Sequence, residues 1–341
     1  MKTYIVLNIF PDYKMEKYTK KQPLSALKEG DIIDDVFVVK IKKGVSEYVK
    51  GYRFNLLLSD NSGKTIDYVY WGTADEDAIK EVYNSIKADS VVKVQGKVSS
   101  YNGKLQLATN LPYTLVVLSE GQYTKEDFVK PSKKNVEKLY AELLCAIDSV
   151  QNQQIKLLLN NFFQNPDIIK KFKTHPGAIE IHHNWIGGLL EHTLEVLKYS
   201  LVTHEQFPQL NKDLLIAGAL LHDIGKMDEM EVTSRIKGTN IGQLTGHLVL
   251  GTIHVAKKID EIKDFDENLK NKLLHMIVSH HGKTEFGSPK EPMFPEAMAV
   301  YYADELSSKI SEMTEFISAA KEETEDDFMY NRRKNGNILL K

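Results

Sequence analysis

Histidine is concentrated in one part of this chain, because all 11 histidines fall between His175 and His281. The pair His222-Asp223 stands at the end of an apolar run with helical spacing. Burial of an unpaired carboxylate is costly, and coordination of a metal ion compensates for that cost. Neighbouring side chains on a helix point about 100° apart, so Asp223 could contact two ions while His222 contacts one. The pair therefore indicates metal chemistry.

Further histidines and an aspartate stand around this pair in a definite order. They are His192, His222-Asp223, His247, His280-His281 and Asp304. This order resembles the HD superfamily of metal-dependent phosphohydrolases. The resemblance implies one metal ion held by His192, His222, Asp223 and Asp304, and a second held by Asp223, His247, His280 and His281. Asp223 belongs to both sets and to the predicted catalytic residues, and mixed imidazole and carboxylate ligands suit Mn, Fe, Co or Zn better than Ca.

Two more residues are candidates for catalysis. Lys226 follows His222 by four residues, and a helix that continued through Gly225 would present its ammonium on the same face, where we expect it to bind phosphate. The alternative is a lysine that stabilises the negative end of a helix dipole. His182 and His183 precede the first ligand helix, and we interpret His183 as a residue that contacts substrate or protonates the leaving oxygen.

The elements that carry these residues are helical, because apolar residues recur at helical spacing from Asn135 onward. We predict an all-α HD domain over residues 133–322. Residues 323–341 combine an acidic run with Arg332-Arg333-Lys334, which predicts a charged, solvated tail.

The first half of the chain alternates with a period of two, as half-buried strands do. Strands are predicted at Ile32–Lys42, Tyr52–Ser59, Thr65–Trp71, Ser90–Ser100 and Lys104–Leu111, with a helix at Asp75–Ile86. Five strands with a helix after the third are typical of a five-stranded OB-type β-barrel, which we place at residues 22–120. Residues 1–21 are predicted as an N-terminal extension that begins with an ordered strand, and residues 121–132 as a linker.

An OB sheet binds single strands with a basic groove and aromatic platforms on which bases stack. The predicted nucleic-acid-binding residues are Arg53, Trp71, Lys97, Tyr101 and Lys104. Phe54 lies in phase with Leu56 and Leu58, so we expect it in the core. The charged positions have a plainer alternative, namely that they are only solvated.

The OB pattern followed by the motifs at 187–192 and 222–226 resembles the YhaM-type 3′-to-5′ exoribonucleases, from about residue 25 to 320. The resemblance implies that the OB domain holds single-stranded RNA and feeds its 3′ end to a metal pair, releasing nucleoside 5′-monophosphates. It also implies manganese as the favoured cofactor. Single-stranded DNA as a substrate and a homo-oligomeric assembly stay open.

Two other functions fit the same residues. The first is an HD phosphodiesterase or phosphohydrolase that acts on cyclic dinucleotides or small nucleotides and uses its OB domain for assembly. The second is a non-catalytic RNA-binding module whose histidines are structural.

Composition narrows the setting of the protein. The formal charge of −3 means that affinity for nucleic acid must come from a local patch. The single cysteine, Cys145, excludes an intrachain disulfide framework and a cysteine-based zinc site, which fits a reduced cytoplasm. No window approaches the roughly 18 uninterrupted apolar residues that a membrane span needs.

Overall fold

The computed structural model describes residues 16–341, so the strand predicted at the start of the chain lies outside the described residues. Contacts divide the chain into two compact units. The first runs to Lys130 and includes Thr233–Arg235, and the second contains the remaining residues from Pro131 to Lys341. None of the described helices combines the length and apolarity that a membrane crossing requires.

The first unit is built on one six-stranded sheet. Its elements are β1 (Ile32–Tyr48), β2 (Gly51–Ser59), β3 (Thr65–Trp71), α1 (Glu76–Ser85), β4 (Val91–Tyr101), β5 (Lys104–Thr109) and β6 (Leu115–Leu118). The strand order is β1-β2-β3-β5-β4-β6, and a further pairing of β1 with β4 closes the sheet on itself. The five predicted strands and their helix are confirmed, and the OB-type order with them. The short edge strand β6 was not predicted.

Alternation along the strands fills the interior of this sheet. Phe54, Leu56 and Leu58 are all fully buried, which confirms that Phe54 belongs to the core. Leu24 and Leu27, which lie before the first strand, are also buried in this cluster.

The segments on either side of the barrel differ from their predicted roles. The ammonium of Lys20, in the predicted extension, lies 3.1 Å from a carboxylate oxygen of Asp35. Phe128, in the predicted linker, is buried with Val36 and Val38. Both segments therefore pack on the sheet: burial of apolar surface is favourable at Phe128, and the buried Lys20 ammonium is compensated by its carboxylate partner.

The second unit is helical, as predicted. Its helices are α2 (Val136–Asp148), α3 (Gln153–Phe163), α4 (Pro166–Thr174), α5 (Gly188–Gln206), α6 (Lys212–Leu221), α7 (Lys226–Glu229), α8 (Asn240–Thr245), α9 (His247–Asp260), α10 (Glu267–Ser279) and α11 (Pro295–Glu323). Two hairpins accompany them, β7 (Met230–Val232) with β8 (Ile236–Gly238), and β9 (Phe328–Asn331) with β10 (Gly336–Leu339).

The C-terminal hairpin corrects the prediction of a solvated tail. Leu340 is only 3% exposed and Asn331 only 7%, so the end of the chain is anchored on the protein. The strand signal was present in the aromatic residues Phe328 and Tyr330, which favour strands, but the neighbouring charges obscured it.

Close packing of the turn after α6 against α9 brings predicted metal ligands from these two segments together. A Cβ on Gly225 would overlap the backbone of His247, the first residue of α9. Only glycine therefore lets the turn after α6, which carries Asp223, approach α9 this closely.

Candidate functional site

The structure brings the seven predicted metal ligands together, six of them in two groups with Asp223 between them. One group contains His192, His222 and Asp304, and the other contains His247, His280 and His281. Within each group the potential ligand atoms lie within 4.8 Å of one another. Helices α5 and α11, the turn after α6, the start of α9 and the end of α10 supply these side chains.

Asp223 lies between the two groups and faces both. Its Oδ2 is 3.4 Å from His192 Nε2 and 3.3 Å from His222 Nε2. Its Oδ1 is 3.7 Å from His247 Nε2 and 3.5 Å from His280 Nε2. The side chain is buried, and among the described residues neither Oδ1 nor His280 Nε2 has a hydrogen-bond partner, while the ammonium of Lys226 lies 2.7 Å from Oδ2. Such unsatisfied atoms are costly, and a cation on each side of the carboxylate fits them.

The five imidazoles are oriented in one way. Each Nδ1 lies 2.7–3.1 Å from an oxygen acceptor: Ser307 Oγ for His192, Ala219 O for His222, Glu229 Oε1 for His247, Ile277 O for His280 and Phe286 O for His281. A proton donated from Nδ1 leaves the Nε2 lone pair pointing into the site. This is the tautomer that metal ligation requires.

The charges of the site favour a cation. Burial would lower the pKa of His192, but hydrogen bonds and charge from Asp223 and Asp304 outweigh it and hold that pKa at about 9. Burial opposes ionisation of Asp304, but His192 and His222 keep its pKa well below the ordinary value. Burial lowers the pKa of His280 to about 4. The carboxylates are therefore ionised at neutral pH, and a cation held at this group would replace the proton of His192.

Lys226 reaches the site by a route that differs from the predicted one. Helix α6 ends at Leu221 and a turn follows, so Lys226 is not on a continuous helix with His222. Its Nζ nevertheless lies 2.7 Å from Asp223 Oδ2 and donates a 2.8 Å hydrogen bond to the carbonyl of Gly177. The ammonium is thus next to the shared carboxylate.

His183 lies beside the ligands without joining either group. Its backbone is left-handed, with φ of 57°, and its buried Nε2 is 3.1 Å from Glu195 Oε2. Ser307 donates a 2.9 Å hydrogen bond to the same Glu195 oxygen, and Ser307 Oγ is the acceptor beside His192. His183 therefore belongs to a network that supports His192.

The neighbouring His182 lies close to the charges of the site. Its ring centre is 6.1 Å from that of His192. Burial, together with the positive charges of Lys226 and His192, lowers its pKa to about 3. His182 is half-buried and neutral at pH 7, which suits a hydrogen bond to substrate.

The supporting acceptors Ser307, Glu195 and Glu229 were missed in the sequence. Ser307 follows Asp304 by three residues, and Glu195 follows His192 by three. Side chains three apart share a helix face, so this spacing was a usable signal.

The five predicted nucleic-acid-binding residues lie at three places on the barrel. Arg53 and Trp71 are cross-strand neighbours, with the guanidinium 5.0 Å from the indole ring. Tyr101 and Lys104 pair at the tip of the β4–β5 hairpin, and Lys97 is exposed on β4. Lys104 begins β5, and the other end of this strand, which pairs with β3, is five residues away. That separation is roughly 16 Å along the strand.

Trp71 also forms one wall of a surface pocket of about 420 Å³. Tyr48, Lys50 and Asn110 line the same pocket, and the Tyr48 ring meets the indole edge-on at 4.8 Å. A pocket with aromatic walls and a lysine suits a nucleotide base with its phosphate.

Residues 189–309 match the HD domain family, a range that includes both groups of ligands. The 3′-5′ exoribonuclease YhaM of Geobacillus sp. (strain WCH70) is 30% identical over 294 residues, which cover 86% of this chain and 87% of that protein. The chain belongs to the YhaM exoribonuclease family. The HD match together with the two ligand groups identifies a divalent-metal site.

Two solved structures are similar to part of the chain. An OB domain from Thermoplasma acidophilum is 12% identical, with a TM-score of 0.23, over 29% of this chain and 86% of that one. A replication protein A heterotrimer bound to ssDNA is 15% identical, with a TM-score of 0.24, over 35% of this chain and 29% of that one. The alignment with the YhaM relative is longer than either and spans most of both proteins.

Proposed function

We propose that the protein is a metal-dependent 3′-to-5′ exoribonuclease that hydrolyses single-stranded RNA to nucleoside 5′-monophosphates. The observation that carries the proposal is the buried Asp223 carboxylate, whose two oxygens face two separate groups of ligands. Membership of the YhaM family, over both halves of the chain, favours RNA over a small nucleotide as the substrate.

We expect the site to hold two divalent cations, with Mn²⁺ favoured and Fe, Co or Zn as alternatives. His192, His222, Asp304 and one oxygen of Asp223 would hold the first, and His247, His280, His281 and the other oxygen the second. When bound, such a pair activates water and stabilises the entering and leaving oxygens of a phosphodiester.

The chain's own residues bind and orient the scissile phosphate. Lys226 supplies a buried ammonium beside Asp223, where it neutralises a phosphate oxygen. His182 is placed to donate a hydrogen bond to substrate at the edge of the site. His183 was predicted as a catalytic residue, but its pairing with Glu195 supports a positioning role through Ser307 and His192 instead.

The barrel supplies affinity for the single strand. We expect Arg53 and Trp71 to bind one nucleotide at the pocket. We expect Lys97, Tyr101 and Lys104 to contact further nucleotides of the same RNA along the sheet. Single-stranded DNA remains an alternative ligand. Assembly into a homo-oligomer and a cytoplasmic location remain predictions from the sequence.

The test is cleavage of a 5′-labelled, unstructured RNA and its DNA counterpart with Mn²⁺. The proposal predicts a ladder that shortens from the 3′ end, nucleoside 5′-monophosphates as products, and complete loss of cleavage in chelator. Internal cuts, or immediate release of the label as a mononucleotide, would contradict the polarity. Intact RNA together with hydrolysis of a cyclic dinucleotide would favour the small-nucleotide phosphodiesterase.

A further inference from the structure

The hairpin of β9 and β10 lies after the region that matches the HD family, and its register sorts its side chains onto two faces. Phe328, Tyr330 and Leu339 point to solvent and are 53–57% exposed. Asn331 and Leu340 are buried and anchor the hairpin. Large exposed apolar side chains on one small face indicate a contact surface.

The turn of the same hairpin is basic. Arg332, Arg333 and Lys334 are consecutive and all exposed. The side-chain oxygen of Asn331 accepts hydrogen bonds from the backbone N–H groups of Arg333, at 2.9 Å, and Lys334, at 3.0 Å. A defined turn therefore places three cations beside the aromatic face, and one of them, Lys334, is paired with Glu312 at 3.2 Å.

The basic turn contacts the segment that borders the metal site. A guanidinium nitrogen of Arg333 lies 3.4 Å from Glu180, two residues before His182. The carbonyl of Gly177, in the same segment, accepts the hydrogen bond from Lys226. The hairpin turn and the site are thus separated by one short stretch of chain within the catalytic unit.

We propose that the hairpin is a second single-strand-binding surface, carried by the catalytic domain itself. Tyr330 stacks against a base, and Arg332 and Arg333 bind the neighbouring phosphates. An aromatic platform beside cations is the combination that binds single-stranded nucleic acid with little sequence preference. The inference rests on the proposed function, because the bound single strand is the RNA whose 3′ end enters the metal site.

The surrounding charges confine the phosphates to the turn. An acidic run at residues 322–327 precedes the hairpin. The basic turn lies at the opposite end of β9, about 10 Å from this run along the strand. Arg333 and Glu180 form an exposed pair, which contributes only about 0–1 kcal/mol and exchanges readily for phosphate. Arg332 has no ion-pair partner among residues 16–341 and is available as it stands.

The test is binding of a 5′-fluorescein oligouridylate of 20 nucleotides to the full chain in chelator, measured by anisotropy. We expect Tyr330→Leu, which keeps an apolar side chain but removes the ring, to weaken binding at least about fivefold. Arg332→Ala should weaken binding and lower the slope of log affinity against log salt by about 0.7. Glu180→Gln should strengthen binding, because it removes the competitor for Arg333.

Lys263→Ala is the matched control, since Lys263 is a 92% exposed cation elsewhere in the same unit. Hairpin variants that bind like this control would overturn the proposal. So would hairpin variants that bind RNA normally but change the mass of the protein in sedimentation, which would make the face an assembly surface. If the wild type cleaves RNA and the hairpin variants bind RNA as the wild type does, the hairpin proposal alone is rejected. If the hairpin variants lose RNA binding but the wild type cleaves no RNA, the proposed exoribonuclease activity alone is rejected.

Discussion

At the scale of single residues, the site depends on acceptors that keep each imidazole in one tautomer. Ser307 is the most informative of these, because its hydroxyl accepts from His192 and donates to Glu195. An acceptor of this kind typically changes metal affinity by about 10- to 100-fold. Loss of this acceptor should therefore affect binding of the cation rather than the hydrolysis step.

We predict that Ser307→Ala weakens Mn²⁺ binding at the group of His192 by about 10- to 100-fold while the protein stays folded. Titration calorimetry or manganese EPR measures the affinity. Ser308→Ala is the matched control, because the Ser308 hydroxyl bonds only to backbone carbonyls of its own helix among the described residues. Equal affinities for the two variants would show that Ser307 does not support His192.

Much of the site was predictable from residue types and order, and its supporting groups were not. His192, Asp223 and Asp304 fall in a recognisable order along the chain, and the structure brings them together. Helical spacing puts Ser307 on the same face as Asp304, but its contact with His192 depends on how α5 packs against α11, which spacing does not define. His183 was expected among the catalytic residues because it is near the first ligand helix, but its left-handed backbone directs its ring to Glu195.

At the scale of elements, the approach of the turn after α6 to α9 joins the two groups of ligands. Gly225 makes this approach possible, since a side chain there would overlap the backbone at His247. His247 Nε2 lies 3.7 Å from Asp223 Oδ1. Loss of the packing contact would increase that distance. Stability and metal affinity are therefore coupled at one glycine.

We predict that Gly225→Ala lowers the free energy of unfolding by about 1–3 kcal/mol and weakens metal binding, because the added methyl forces the turn and α9 apart. Urea denaturation measures the first effect and calorimetry the second. Gly44→Ala is the control, since a Cβ at Gly44 meets nothing within 4 Å. A Gly225→Ala protein as stable as this control would contradict the packing argument.

The elements themselves were predictable where a single period dominates. Strand β3 has the bounds that alternation predicts, Thr65–Trp71, because it is central and half-buried. Strand β1 extends beyond the predicted Lys42 to Tyr48, where exposed polar residues break the alternation. The hairpin of β9 and β10 was missed because its cations and the acidic run before it resemble a solvated tail.

At the scale of the whole molecule, the proposed function assigns affinity for the single strand to one unit and hydrolysis to the other. The barrel unit carries the aromatic pocket, and the helical unit carries the metal site. Linked sites of this kind increase affinity only for ligands long enough to occupy both. The length of the RNA should therefore decide how much a barrel mutation matters.

We predict that Trp71→Ala weakens binding of a 20-nucleotide RNA by about 1–3 kcal/mol, because it removes one stacking platform. Hydrolysis of a dinucleotide should be unchanged. Leu111→Ala, at a position 74% exposed in the same unit, serves as the control. Equal losses on long and short substrates would indicate that the two units do not divide these roles.

The central claim is that Asp223 serves two cations at once, and the most direct measurement is the number of Mn²⁺ ions bound by three proteins, with RNA cleavage recorded beside it. We predict two ions for the wild type, one for Asp304→Asn, and neither at the same concentrations for Asp223→Asn, whose cleavage should fall by about a thousandfold or more. Asp304 contributes to one group and Asp223 to both. An Asp223→Asn protein that keeps two ions and the wild-type rate would contradict the account.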